Sequence, residues 1–470
     1  MVWRPFAMKL ETAETMEGVA LNMRTVLLPD PDSIFRRRSC VVKESGDSKE
    51  YKTGGGNSHY ILIICTLLYM VNYMDRQVLA AVVEPMKAAL NLNDSHIGIL
   101  GTVFLLSIAL FSFPVAYLVD RWSRRKAIGI MAILWSGFTL LTGKAWNFTT
   151  LLIPRALVGV GEAGFSAGGT AMIGAAYSPK KRGAVMGIFN MAIPLGVALG
   201  SVLGGVLAKL HGWQAPFLVF AIPGIILGIL AFFMKDYKTV EHTHESGGNV
   251  TFFQSTKKLF KIPSLVWVLV GYGLANIMSM SFLFWTPAFI GRAWGVDVAA
   301  ANAVMVPIVL AAIVGSPVGG ILADVWFKKN PRGRLYLPAI TIMLSAVCMA
   351  GAIYFQMKGI GMVLIIAYGV LNVMALPCLS AISQDVAPAA QKGLVWGLMV
   401  FCMYVFGGGW SPYMVGAISN VLGQGAQALG TALTIATTGG ILGGICYLMA
   451  SRPYPEDMER VRGDQLMAEK

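Results

Sequence analysis

Twelve apolar stretches run through the chain, near 60–83, 96–119, 127–143, 150–176, 183–208, 215–234, 265–290, 300–323, 335–356, 360–384, 393–418 and 428–450. The hydrocarbon core of a bilayer is about 30 Å thick, which a helix of ~20 residues crosses at ~1.5 Å per residue. Lipid offers the backbone no hydrogen-bond partner, so stretches of this kind are expected as helices. The pattern predicts an all-α polytopic membrane protein with twelve transmembrane helices. A polar connection at 235–264 divides them into two six-helix halves, 59–234 and 265–450. Residues 1–58 are polar and aperiodic, with Arg36, Arg37 and Arg38 clustered, and are expected to be a disordered tail. Residues 451–470 read as a second, charged tail.

Composition supports this reading. The 470 residues are 56% hydrophobic and 13% charged, with a mean hydropathy of +0.65. Soluble domains carry about 25% charged residues. A net charge of +13 raises nucleic acid as a partner, but the placement of the basic residues argues against it. The even-to-odd loops hold 17 Lys and Arg, among them Arg121, Arg124, Arg125, Lys181, Arg182, Lys328 and Arg334. The odd-to-even loops hold 5: Lys87, Lys144, Lys209, Arg292 and Lys358. The positive-inside rule then predicts that both termini and the 235–264 linker are cytoplasmic, in a plasma or inner membrane. Of the six cysteines, five (Cys65, Cys348, Cys378, Cys402, Cys446) sit in apolar runs without paired spacing, as reduced core residues do. Glu241-His242-Thr243-His244-Glu245 reads as solvated linker rather than a metal site, and no metal or cofactor is expected. Asn93-Asp94-Ser95 and Asn147-Phe148-Thr149 fit glycosylation acceptors by pattern.

Two spans break the apolar pattern with charges: Asp75 and Arg76 in the first, Arg155 and Glu162 in the fourth. On insertion scales each costs about 2.5–3.5 kcal/mol at the centre of a helix, so such groups persist where they face a water-filled cavity or one another. Arg155 and Glu162 are seven residues apart, close to two turns, and share a face. Asp75 reaches a level between them; if the first and fourth spans face the same cavity, these three form an acid–base–acid cluster. Arg76 points about 100° away from Asp75 and is expected to serve another partner. Burial raises a carboxylate's pKa and an arginine lowers it, so opening and closing such a cavity can load and release a proton. The alternative is a static salt bridge that only fixes helix packing.

The second half carries an apolar wall instead. Tyr272, Asn276, Phe284 and Trp285 in the seventh span and Asn372 in the tenth are expected either to line the cavity or to be core. A cavity with one charged and one apolar wall suits an amphipathic substrate. In the fifth span Gly196, Gly200 and Gly204 recur every four residues, a face that lets helix backbones approach.

An internal repeat relates the halves. Leu118-Val119-Asp120-Arg121-Trp122, followed by Arg124 and Arg125, recurs as Leu322-Ala323-Asp324-Val325-Trp326, followed by Lys328 and Lys329. Two six-helix halves in parallel repeat are a transporter architecture, with the substrate site near midplane between them.

These residues resemble the major facilitator superfamily, whose signature after the second helix is G-x-L-A-D-R-x-G-R-R. Here Ala116-x-Leu118-Val119-Asp120-Arg121-x-Ser123-Arg124-Arg125 stands in that place, with both glycines replaced. The fourth helix keeps the family's Arg155-x-x-x-Gly159 pattern. Gly187, Gly196, Gly200, Gly204 and Gly205 fall on the spacing of its antiporter motif, with Ser201 replacing a proline. Asn72-Tyr73-Met74-Asp75-Arg76 and Arg155 to Ala163 resemble the spinster-like branch, whose eukaryotic members are linked to sphingolipid and lysolipid export. The resemblance implies that Asp120, Arg121, Arg124, Arg125 and Asp324 form a gating motif. In it Asp120 ties the loop basics to the start of the eleventh helix near Gly393.

The expected function is secondary transport of an amphipathic or lipid-like solute by alternating access, coupled to protons, with a monomer as the working unit. An organic-anion:proton symporter that uses Arg155 as its anion clamp is the rival within transport. A membrane-embedded lipid-modifying enzyme is the rival of another class. The chain has no Walker loop, no G-x-S-x-G and no H-E-x-x-H, which disfavours both ATP drive and that enzyme.

Overall fold

The structure, a computed structural model, describes residues 56–236, 256, 257, 259–387 and 392–468. The N-terminal tail up to residue 55, most of the linker with its Glu241–Glu245 run, and Cys40 lie outside the described residues.

The described chain is helical. The first half consists of α1 (Gly56–Ala81), α2 (Val83–Leu90), α3 (Asp94–Arg121), α4 (Arg124–Gly143), α5 (Phe148–Glu162), α6 (Phe165–Ala176), α7 (Pro179–His211) and α8 (Ala215–Ala231). The second consists of α9 (Pro263–Trp294), α10 (Val298–Ala303), α11 (Met305–Lys329), α12 (Gly333–Tyr354) and α13 (Ile360–Asp385). It continues with α14 (Lys392–Met403), a π turn at Tyr404–Gly408, α15 (Ser411–Val421), α16 (Ala426–Ala450) and α17 (Tyr454–Ala468). Among the described residues, ten helical stretches are long and apolar enough to cross a membrane; α5 with α6, α10 with α11, and α14 with α15 each count as one. The charged α1 and the 17-residue apolar α8 fall on the first and sixth of the twelve stretches read from the sequence, and the arrangement is consistent with that count.

Helix starts follow local chemistry. Asn93 and Asn147 accept from the backbone N–H three residues on, at 2.8 Å each, and so cap α3 and α5. The two asparagines of the glycosylation patterns therefore serve as helix caps. The fourth span is not continuous: the helix is interrupted at Ala163 and Gly164, immediately after Glu162. A Cβ at Gly164 would overlap Val115, so the backbone of the break sits against α3.

The parallel repeat is visible in the packing. α3 packs on α5 as α11 packs on α13, and α4 packs on α8 as α12 packs on α16. The halves meet along α3 with α15, and along α7 with α10. On α7, a Cβ at Gly196 would lie 2.5 Å from the Met70 carbonyl, one at Gly200 2.9 Å from Met74 Cα, and one at Gly204 3.1 Å from Ala81. These three glycines let the fifth span lie directly on the first, within one half. Gly205 faces the other half instead, against Val298 and Asn302, while Gly187 has open space around it. The five apolar cysteines are free and buried.

Within the stretch read as a charged tail, Tyr454–Ala468 form the helix α17. Tyr454, Asp457, Met458 and Val461 are buried at i, i+3, i+4 and i+7, one face of α17. The Asp457 carboxylate accepts from the Ser264 backbone N–H at 3.0 Å and from its hydroxyl at 2.6 Å, capping the start of α9 from another element. The Tyr454 hydroxyl donates to Asp385 at the end of α13, and burial raises that phenol's pKa.

Candidate functional site

Four charged side chains meet inside the first half. Asp75, Arg155 and Glu162 are almost fully buried, and Arg76 is mostly so. The Arg76 Nε donates to Glu162 Oε2 at 2.8 Å, and its guanidinium lies 4.8 Å from the centre of the Tyr73 ring. The other partner expected for Arg76, away from Asp75, is thus Glu162: its long side chain swings round α1 to the acid on α5. Asp75 Oδ2 accepts from the Thr139 hydroxyl of α4 at 3.1 Å, while its Oδ1 has no hydrogen-bond partner. Arg155 stands close to both acids without an ion pair to either. Its guanidinium lies 4.7 Å from the centre of the Phe104 ring, and its Nε and Nη1 have no hydrogen-bond partner. Buried N–H groups without partners cost about 1–3 kcal/mol each, and more on a charged group. An arginine held in this way is ready for an acceptor that arrives from elsewhere.

Such an arrival is possible because both arginines line one cavity of about 90 Å³ between the halves. Its first-half wall includes Tyr73, Gln77, Phe104 and Leu105; its second-half wall includes Met280, Leu283, Phe284 and Tyr404. One wall thus carries both positive charges, and the other is apolar and aromatic. Of the second-half residues picked out in the sequence, Phe284 lines the cavity. Trp285 does not; it is fully buried, with its indole N–H donating to the Pro412 carbonyl at 3.0 Å. Asn276 turns back onto the Tyr272 carbonyl at 2.8 Å, and Asn372 donates to Ser279 Oγ at 3.0 Å. Tyr272 packs half-buried at the edge of the core.

A second charged cluster, which the sequence did not single out, closes one end of the bundle. Arg292 of α9 grips Asp94 of α3 with two parallel hydrogen bonds of 2.7 Å, and donates to Glu84 of α2 at 2.8 Å. Asp94 also accepts from Lys87 and, at 2.6 Å, from Ser419 of α15. Arg292 and Lys87 both reach Gln424, beyond α15. The cluster therefore joins α2 and α3 of the first half to α9 and α15 of the second. Nearby, Asn302 donates to the Ala81 carbonyl at 3.0 Å, also across the halves. Lys209 bonds Asp297 at 2.8 Å, and that hydrogen bond holds the exposed Asp297 carboxyl below its ordinary pKa.

At the opposite end, the ion pairs that the structure places lie within a half. Arg334 bonds Asp385 at 2.6 Å and Asp324 at 3.2 Å, and Arg125 reaches the Phe232 and Met234 carbonyls at the end of α8. Ser123 donates to Asp236. The side chains of Asp120 and Arg121 lie outside the described residues.

Comparison with known proteins follows the same lines. Residues 65–412 match the family model for the Major Facilitator Superfamily. The chain is 27% identical to protein spinster of Drosophila melanogaster over 385 residues, 78% of this chain and 63% of that protein. It is 25% identical to the hexuronate transporter of Bacillus subtilis over 351 residues, 73% and 83% of the two chains. It is 24% identical to the sphingosine-1-phosphate transporter SPNS2 of Danio rerio over 420 residues, 83% of each. Among solved structures, a bacterial homologue of the human lysosomal transporter spinster, in an inward-facing and unoccupied conformation, superposes with a TM-score of 0.76 at 21% identity. That match covers 87% of this chain and 99% of the other. Apolar spans in a parallel repeat, a cavity between the halves and a family match over most of the chain lead to one assignment: the protein is a multi-pass membrane transporter belonging to the Major Facilitator Superfamily.

Proposed function

We propose that this transporter, of the spinster-like type, carries an organic anion with an apolar body together with one proton, by alternating access. The observation that carries the reading is the charge balance of the buried cluster. Asp75 and Glu162 against Arg76 and Arg155 sum to zero when all four are ionised. Leaving Arg76 out, as the sequence reading did, counts −1. One proton on either acid leaves +1, and a bound monoanion restores neutrality. A net charge in a closed, dry cavity is costly. The empty carrier and the carrier loaded with both proton and anion are then the two neutral forms. The half-loaded forms carry +1 or −1 and are disfavoured in the closed state, which is the condition for symport.

Arg155, with its unpartnered N–H groups, is the anion's partner, and Met280, Leu283 and Phe284 face its apolar body. The substrates in the names of two relatives, hexuronate and sphingosine-1-phosphate, both bear an acidic group. By the basic-loop asymmetry, both termini and the 235–264 linker are cytoplasmic, so the Arg292 end is outer and this arrangement is closed to the outside.

The test is uptake into proteoliposomes, with and without an outside-acid pH gradient, of two monoanions, glucuronate and a lysophosphatidylglycerol. Glucose and a monoacylglycerol serve as neutral counterparts. At least one anion should be accelerated by the gradient and neither neutral solute should be. Asp75→Asn and Glu162→Gln should abolish the acceleration. Wild-type uptake that ignores the gradient would sink the proton reading; equal transport of the neutral partners would sink the anion reading.

A further inference from the structure

The eleventh span contains a π turn that the function described so far does not use. Gly409 N–H donates to the Tyr404 carbonyl, five residues back, at 2.9 Å. This wide turn is the π-helical segment found among the described residues. Such turns carry one residue too many for an α-helix and concentrate at functional sites. Here it is built from Gly407, Gly408 and Gly409. A Cβ on Gly407 would overlap the Gly273 carbonyl, and one on Gly409 would overlap the Tyr404 carbonyl. The loosened carbonyls are met by side chains: the Trp410 indole donates to Val405 O and the Ser411 hydroxyl to Gly408 O, both at 2.9 Å. The eleventh span thus touches the seventh backbone to backbone at one glycine pair, beside a turn with a spare residue.

The residue that opens this turn is Tyr404. Although it belongs to the second half, it is buried in the hydrophobic cluster of the first, with Tyr69, Phe104 and Phe165. It lines the central cavity together with Arg76 and Arg155. The titratable groups around it are Arg76, Tyr69, Tyr73 and Glu162 from the first half and Tyr272 from the second. Arg76 is shared: it is bonded to Glu162, stacked on Tyr73, and faces Tyr404.

We propose that Tyr404 is a positioning residue through which the second half responds to the charge state of the first, with the glycine π turn as its hinge. The proposal rests on the proton reading above. When an acid of the cluster is neutralised, Arg76 loses an anionic partner and turns further to the phenol oxygen of Tyr404, which it already faces across the seam. A change in that contact is delivered to a turn that holds one residue more than an α-helix, and α15 beyond it carries Ser419 of the cluster that closes the outer end.

The experiment needs no substrate. Spin labels on cysteines at the exposed Trp146 and Tyr354, one in each half, report the outer mouth in proteoliposomes across a pH series. The wild type should shift its distance distribution with pH. Tyr404→Phe keeps the ring and removes the hydroxyl, and should lose that shift while folding normally. Tyr272→Phe should keep it. A Tyr404→Phe protein that follows the wild-type pH profile overturns this inference and leaves proton coupling standing. A wild type with no pH response overturns the proton reading and this inference with it.

Discussion

Replacing Arg292 with alanine should shift the carrier towards the outward-open state. In the arrangement described here, Arg292 supplies the two bonds to Asp94 and the bond to Glu84 that join α9 to α3 and α2. Asp94 is fully buried and its remaining partners are Lys87 and Ser419. Truncating one member of a buried, hydrogen-bonded charge pair costs about 2–5 kcal/mol, much of it from the charge left behind. That cost falls on the closed state, because an open mouth gives Asp94 water. Taking the low end, about 2 kcal/mol, and ~1.4 kcal/mol per factor of ten, the ratio of outward-open to outward-closed should rise roughly thirtyfold. The Trp146 and Tyr354 label pair reads that ratio at constant pH. The double variant Arg292→Asp with Asp94→Arg should move part of the population back. Unchanged distances in Arg292→Ala would refute the reasoning and reduce the cluster to a surface ornament.

Three further outcomes are expected. Gly196→Leu should lower thermal stability by about 1–3 kcal/mol or block folding, since its Cβ lies 2.5 Å from the Met70 carbonyl, whereas Gly187→Leu should be silent in the same melting assay. Asp457→Ala removes the cap on α9 and should cost about 0.5–2 kcal/mol, read as a lower melting temperature and faster proteolysis of α17. A cysteine in the 235–264 linker should resist an impermeant thiol reagent added outside intact cells, and ready labelling would reverse the assigned topology.

Much of the fold was legible because the bilayer imposes one rule on every span: about 20 apolar residues and no unsatisfied backbone. The intramembrane charges were legible for the same reason, since Asp75, Arg76, Arg155 and Glu162 interrupt that rule. Their pairing was not. Side-chain direction on a helical wheel sets where Arg76 leaves α1, but its length and the helix tilts decide that it reaches Glu162. The Arg292 cluster escaped notice because Glu84, Lys87, Asp94 and Arg292 stand at the ends of spans, where charges are ordinary. Arg292 and Asp94 are also about 200 residues apart in sequence. Two missed features did carry signals. Tyr454, Asp457, Met458 and Val461 have helical spacing within a stretch read only for its charge. Gly407-Gly408-Gly409 before Pro412 marks the eleventh span as irregular.

The central claim, one proton carried with one anion, is tested most directly by watching the proton. Proteoliposomes holding a pH-sensitive dye, with no starting gradient, receive whichever of glucuronate or lysophosphatidylglycerol the wild type takes up. The account predicts acidification of the lumen in step with substrate entry, at about one proton per monoanion and independent of an imposed membrane potential, and its absence in Glu162→Gln. Alkalinisation, or anion entry that leaves the lumen pH unchanged and follows the potential, would contradict it.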